Sequence, residues 1–437
     1  MTDASPTTDV RASEDARAVL AGGVSASMRY YPYLQRPFYT ARGEGPYLFD
    51  NEGNRFIDFN TSNGAAILGH KHPAIREAII EALDAGTIAA AETYHHQKLA
   101  ARLCEIIDSA ERVRFASTGS EVTSVAVRLA RHVTGRKKIL KFDGHFHGLT
   151  DTFLYRRDES GAVIPSAGGV PEAGADEVVM SAWNDVDAFD AMIDQQGNDI
   201  AAVILEPVHF NAGCIPPIDG FLEHIRSRTS AAGIVLIFDE VLSGFRVRLG
   251  GMEEFYGVRP DLSTWAKAIA NGLPLAALTG RADLMEELIP NGPVAHSGTY
   301  SGHLHSVLAS IATLEELSQP GLFNQIEEIG KGFYSQLQDT FDRHAIPARV
   351  QGMGTRFGIY FGRTEPVTTV ADVQNHDHDL NRQFYLGCMD RGVYFHAYTH
   401  TGPPGHAGFS LAHTDDVLGE ALNVMDSVAA DIARGRN

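Results

Sequence analysis

Cysteine is scarce in this chain. Its three copies in 437 residues, Cys104, Cys214 and Cys388, stand far apart and form no CxxC pair, which leaves neither a disulfide framework nor a cysteine-based zinc site to build on. Such sparing use fits a reducing cytoplasm. Positive charge is short as well. Against 55 acidic residues stand 36 lysines and arginines, a formal net charge of −19, and no basic stretch concentrates what there is. Nucleic acid and anionic membrane surfaces are therefore excluded as partners. No apolar run reaches the roughly 18 residues of a membrane span. The opening MTDASPTTDV has no basic-then-apolar leader and is expected to form a disordered tail. There are 19 histidines but no HExxH or comparable ligand set, so no metal site is expected. Internal repeats and low-complexity tracts are missing too.

What is there is a chain with 44% hydrophobic residues, enough to bury a large core and, at this length, to divide into two lobes. Short apolar runs alternate with helical patterns from about residue 60 to 310, the mark of an α/β unit whose mostly parallel sheet is covered on both faces. Strands are expected at VRFAS, KKILKF, AAVILEPV, IVLIFDEV and LAALTG. Between the first two, Val122, Val125, Leu129 and Val133 recur at spacings of three and four, which predicts a helix from Glu121 to Val133 lying on the sheet. From about residue 311 the pattern changes to long helices, such as FNQIEEIGKGFYSQLQDTF, followed by strand-like FGIYF and GVYFHAY. The expected organisation is thus a large domain over 61–310 and a smaller α+β domain over 311–437. Residues 1–60, with a hairpin turn at Asn51 to Asn54 in PYLFDNEGNRFIDFN, are expected to pack with the smaller domain.

The chemistry-bearing residues sit at the ends of these strands. GIVLIFDEV closes on Asp239, and Lys267 follows in TWAKAIANGLP, an apolar segment bounded by Gly and Pro. An acid and a lysine so placed can hold pyridoxal phosphate (PLP): the amine condenses with the cofactor aldehyde, and the acid keeps the pyridine nitrogen protonated. Large α/β proteins often contain such a pair as a strand-end acid and a surface lysine, so other features have to decide. In RFASTGSEVTSVAVRLARHVTG a small-residue turn at Ser117 to Ser120 opens a helix, where free N–H groups and the helix dipole stabilise a phosphate. An ordinary N-cap by Thr118 or Ser120 reads the same way. A second strand, AAVILEPV, ends in Glu206, and acids at the carboxyl ends of neighbouring strands lie where open α/β sheets bind ligands. A phosphate cup, two strand-end acids and a lysine together favour a cofactor site.

The same segments carry a family resemblance across nearly the whole chain. GGVSASMR, GNRFIDFN, the glycine-turn segment, GRKKILKFDGHFHG, ILEPV, FDEVLSGFR, GVRPDLSTWAKAIANGLP, SGTYSG and GFSLAHTDDV, in that order, resemble class III PLP-dependent aminotransferases, and most of all the glutamate-1-semialdehyde aminomutase branch. The resemblance implies PLP fold type I, aspartate aminotransferase-like, and a homodimer whose active sites are shared between subunits. It implies phosphate binding by Gly119 and Ser120, and by Thr299 from the neighbouring subunit. Phe146 and Val241 would flank the pyridine ring, Phe146 lacking the hydroxyl of the tyrosine common there. Asp239 would pair with the ring nitrogen, Glu206 would lie on the cofactor's oxygen side, and Lys267 would be both the covalent partner and the proton carrier. His147 reads as support for the GHFHG turn.

Substrate signals are sparser. Arg29 in GGVSASMR stands where this branch carries an arginine for the substrate carboxylate, a role suited to a bidentate guanidinium; a solvated surface arginine is the competing account. Ornithine and ω-amino acid enzymes of the family usually have glutamine after DEV and an arginine late in the small lobe. Here Leu242 follows DEV, and TGPPGHAGFSL has no arginine, which speaks against those substrates. SGHL with His303, KAIANGLP, and IAAAETYHHQ with Tyr94, His95 and His96 depart from the aminomutase pattern. The expected activity is transfer of an amino group between an amino acid, β-amino or aryl, and a keto acid. An aminomutase or a racemase using the same lysine and acid, with no second substrate, is the alternative. A PLP-binding transcription regulator would need a helix-turn-helix domain, and the matching region starts by about residue 22. Arg156 to Gly169, rich in small and charged residues, reads as a loop, either a lid or a plain surface excursion.

Overall fold

The computed structural model describes residues 8–399 and 402–436. Residues 1–7 of the expected tail lie outside these, and the rest of it is not a tail, because Thr8–Val19 forms a helix. Alanines favour it, and Asp9 in its first turn reaches Arg36 at 3.6 Å and accepts a hydrogen bond from Asn51 Nδ2 at 3.2 Å.

A seven-stranded sheet forms the centre. In spatial order its strands are Val178–Ser181, Lys138–Phe142, Ile200–Leu205, Val235–Asp239, Leu262–Trp265, Ala276–Gly280 and Arg112–Ala116. The sixth, Ala276–Gly280, runs antiparallel to both neighbours, and the other six share one direction. The continuous apolar run Ile200–Leu205 is buried at every position, as a strand covered on both faces requires. Alternate residues serve opposite sides. Ala202, Ile204 and Ile237 pack with Val122, Val125 and Leu129, while Val203, Leu205 and Phe238 pack with Trp183, Phe189 and Phe221. All five expected strands are present. Val178–Ser181 and Leu262–Trp265 were not anticipated; LSTW reads as too polar for a central strand, yet Ser263 and Thr264 are buried in it.

The expected helix after the first of these strands spans Gly119–Thr134. Thr118 caps it, accepting from Glu121 N at 3.3 Å, while Glu121 Oε2 accepts from Thr118 N at 2.9 Å and Ser117 N at 2.8 Å. This reciprocal box fixes the entry of the helix, and Gly135, at φ +68°, ends it.

A second sheet carries the hairpin Tyr47–Phe49 and Arg55–Asp58, with Arg42–Glu44 on one side and Val393–Tyr394 on the other. The expected turn forms, with Asp50 Oδ1 accepting from Glu52 N at 3.0 Å and Asn54 N at 2.8 Å. GVYFHAY contributes only two strand residues. Its partner ends at Asp58, whose Oδ1 accepts from Asn60 N and Thr61 N and turns the chain away. Tyr31, Ile57 and Phe59 share one core with Phe333, Leu337, Phe357, Phe395 and Met425. The run from Arg156 to Gly169 is not an unstructured loop: Tyr155–Arg157 and Val163–Pro165 pair as a hairpin.

Candidate active site

The six parallel strands end on one edge of the sheet, and a cavity of about 580 Å³ opens there. The loops after five of them supply its chemistry. After Arg112–Ala116 come Ser117, Thr118, Gly119 and Ser120, at the N-terminus of the Gly119–Thr134 helix. A Cβ at Gly119 would stand 3.1 Å from Val241 Cγ1, so glycine keeps this cup open. Across it, Ser120 Oγ accepts from Leu149 N at 3.2 Å, which ties the cup to the turn carrying Phe146 and His147.

Asp239, buried at the end of its strand, is held from three sides. His147 Nδ1 donates to Oδ2 at 2.7 Å, and Thr264 Oγ1 and Val241 N donate to Oδ1 at 3.0 and 3.1 Å. Burial holds His147 below the usual histidine range despite Asp239 beside it, so the neutral ring serves as a donor. The carboxylate's hydrogen bonds thus come from neutral donors, and the Lys267 charge acts on it through space alone. Glu206 accepts from Phe146 N at 2.9 Å through Oε1, and burial pushes its carboxyl up to about 7.

Lys267 follows the strand Leu262–Trp265, next to the Asp239 strand. Its backbone takes φ +51°, a left-handed conformation that costs a side-chain-bearing residue about 1–2 kcal/mol. Burial pushes its amine down to about 8, with the charges of Asp239 and Glu206 opposing and those of Arg246 and Arg356 adding to the shift.

The cavity therefore brings together Gly119, Ser120, Phe146, Glu206, Asp239, Val241 and Lys267. It leaves out Arg29 and Thr299. The short helical turn Ser27–Arg29 points Met28 into the cavity, while Arg29 is exposed, bonded to Ser25 Oγ, and lines a neighbouring cavity. Thr299 lines a second surface cavity with Thr93, Tyr94, His95, His96 and Arg114. Tyr94 is exposed there, and His96 is anchored through Nε2 to Gly302 O at 2.7 Å. The hairpin around Arg156 to Gly169 lines neither. Thr264, Asn63, Tyr398 and His406 were not foreseen. Thr264 alone had a signal, three residues ahead of the lysine; the others are joined to the site only by the fold.

Pyridoxal phosphate fits these residues. The helix N-terminus, with a glycine that a methyl group would block, suits a phosphate. A buried carboxylate oriented by neutral donors suits a protonated pyridine nitrogen, and a lysine amine titrating near 8 suits an aldehyde. Phe146 and Val241 line the space between.

Residues 30–401 match the family described as Aminotransferase class-III. An omega-transaminase from Sphaerobacter thermophilus superposes with a TM-score of 0.91 at 30% identity, over 99% of each chain. A beta-phenylalanine aminotransferase from Variovorax paradoxus gives a TM-score of 0.86 at 30% identity, over 96% of this chain and 93% of the other. A glutamate-1-semialdehyde aminomutase from Pseudomonas aeruginosa PAO1 gives 0.85 at 22% identity, over 96% and 93%, a likeness of fold alone.

Proposed function

Given that the chain belongs to the class-III aminotransferase family and is a pyridoxal-phosphate-dependent transaminase, we propose that its amino donor is a β-amino or aryl amino acid and its acceptor a keto acid. One observation carries this. The Lys267 amine opens into a cavity whose remaining wall is largely apolar, formed by Met28, Ala65, Leu242, Leu273 and Leu275. An aromatic or aliphatic side chain gains burial there, at about 25 cal/mol per Å² of apolar surface. Two relatives at 30% identity bear transaminase names, one of them for a β-amino acid, which supports the reading.

When bound, PLP supplies an aldehyde for the substrate nitrogen and a cationic ring that withdraws electrons from the carbon losing its proton. Lys267 Nζ takes that proton and returns it, and an amine titrating near 8 is suited to both directions. The Asp239 carboxylate, oriented by His147 and Thr264, holds the proton of the ring nitrogen. Gly119 and Ser120 would hold the phosphate at the helix N-terminus, Phe146 and Val241 would pack on the two faces of the ring and exclude water from it, and Glu206 would hold its oxygen side. Arg29, in the neighbouring cavity that shares Met28 and Asn63, meets carboxylates at the mouth. Thr299 completes the phosphate site of a second copy in a homodimer; its place away from its own Lys267 supports this. The three cysteines are free, which supports a cytoplasmic location. No described helix is long and apolar enough to cross a membrane.

The test is the visible spectrum of the PLP-loaded protein titrated with α-, β- and aryl-amino acids, with and without a keto acid. Bleaching by a β- or aryl-amino acid, reversed by the keto acid as carbonyl product accumulates, is the expected result. Turnover without any keto acid would refute it in favour of a mutase or racemase.

A further inference from the structure

Behind the wall of the Lys267 cavity lie two arginines, Arg246 and Arg356, almost completely withdrawn from solvent. Their hydrogen bonds go to neutral acceptors throughout. Arg246 donates to Leu242 O, Gly64 O and, at 3.4 Å, Thr355 Oγ1. Arg356 donates to Thr61 Oγ1 at 2.9 Å, to His406 Nδ1 and, at 3.4 Å, to His406 O, and its Nε has no partner. Two buried cations without a carboxylate against them are costly to fold. Their combined field favours an anion in the adjoining cavity.

His406 is the side chain through which that field reaches the cavity. It is 6% exposed and lines the cavity. Its Nδ1 accepts from a guanidinium that keeps its protons, so the single ring proton sits on Nε2, the one remaining polar atom of the ring. Among the described residues, no protein group bonds Nε2. Tyr398, its ring 5.6 Å away, turns its hydroxyl to Asn63 Oδ1 at 3.0 Å and Asn60 Oδ1 at 3.2 Å.

We propose that His406 donates its Nε2–H to a carboxylate oxygen of the substrate, with Arg356 as the positioning residue that fixes the imidazole tautomer and polarises this N–H. The proposal rests on the transaminase reading and adds to it the residue that selects acids. It also accounts for the wall's double duty. With the charge placed behind the imidazole and not inside the cavity, a keto acid carboxylate and an aryl group can use the same space in turn without stranding a bare cation against a ring.

The test compares two acceptors on the PLP-loaded protein with 1-phenylethylamine as donor: pyruvate, which has a carboxylate, and benzaldehyde, which has none. His406→Leu is expected to raise KM for pyruvate by about 10- to 100-fold, the range for losing a hydrogen bond to a charged group. Benzaldehyde kinetics should change less than about threefold. His406→Gln, whose amide nitrogen reaches the Nε2 position, should recover most of the pyruvate KM. If His406→Leu does not fold, His406→Asn, whose amide reaches only the Nδ1 position, takes its place with the same expected loss. Equal losses on both acceptors, or an unchanged KM for pyruvate, would overturn the assignment. Calorimetric titration of the loaded protein with 3-phenylpropanoate is independent of turnover. If the wild type transfers no amino group to pyruvate from either 1-phenylethylamine or 3-amino-3-phenylpropanoate, the proposed donor and acceptor classes fail, and unchanged 3-phenylpropanoate affinity in the variant would overturn the His406 assignment separately.

Discussion

Replacing Lys267 with methionine should abolish turnover and yet make the cofactor-free protein more stable. The lysine titrates near 8 in the folded chain against an ordinary 10.5, because burial disfavours its charge more than Asp239 and Glu206 favour it. Below pH 8 the amine is protonated in both folded and unfolded chains, and the folded state bears the whole penalty. Between 8 and 10.5 the unfolded chain binds a proton that the folded chain lacks, so stability rises with pH. Above 10.5 both states are neutral and the penalty is gone. At about 1.4 kcal/mol per pH unit, the cost at neutral pH is about 3 kcal/mol. Methionine has the same reach, fills the same space and tolerates the same positive φ no worse, so removing the charge should return about 2–3 kcal/mol. Denaturant unfolding of both cofactor-free proteins from pH 6 to 10, followed by circular dichroism, measures this directly. The variant should unfold at higher denaturant at pH 7, and the two should converge towards pH 10. A variant no more stable than the wild type at pH 7, or a gap that does not narrow with pH, would refute the electrostatic account of this lysine.

Other perturbations separate the remaining parts of the site. Asp239→Asn should lower kcat by several powers of ten while the protein still takes up cofactor, as seen by single-turnover absorbance. His147→Ala leaves Asp239 Oδ2 without its 2.7 Å donor and should lower kcat by about 10- to 100-fold, with KM little changed. Gly119→Ala pushes a methyl group against Val241 at 3.1 Å and should weaken PLP binding by about tenfold in an absorbance titration, with a loss of about 1–3 kcal/mol in cofactor-free stability. Thr299→Ala should weaken PLP binding likewise. Mixing it with Lys267→Met subunits should restore affinity, because one hybrid site then contains both intact residues; no gain on mixing would count against a shared site.

Much of the fold was legible because buried parallel strands leave long apolar runs. AAVILEPV and IVLIFDEV could hardly be anything else, and the acids that close them follow the geometry of such sheets. The Gly119 turn was legible through its capping residues. Leu262–Trp265 was not, since Thr264 is polar in order to serve Asp239, and a strand that satisfies a buried carboxylate reads from outside like a loop. The N-terminal helix was hidden by a polar composition that suits a tail and an exposed helix equally. The place of Arg29 was not legible either: a single 3₁₀ turn sets Met28 at the cavity wall and Arg29 in the cavity next to it. His406 and Arg356 are 50 positions apart, and only the antiparallel pairing of Arg356–Phe361 with Ala407–Gly408 brings guanidinium and imidazole together.

The antiparallel strand Ala276–Gly280 also sets an order of events during synthesis. The Arg112–Ala116 strand, which ends in the phosphate cup, pairs within the sheet only with Ala276–Gly280. It therefore leaves the ribosome early and has to wait for residue 280 before it has a neighbour. A nascent chain that has already made Asp239 and Lys267 still has the strand that leads into the cup without a strand partner. Cofactor capture thus falls late in folding, after a long-range closure that is slow to form, and uptake of the cofactor reports on a completed sheet.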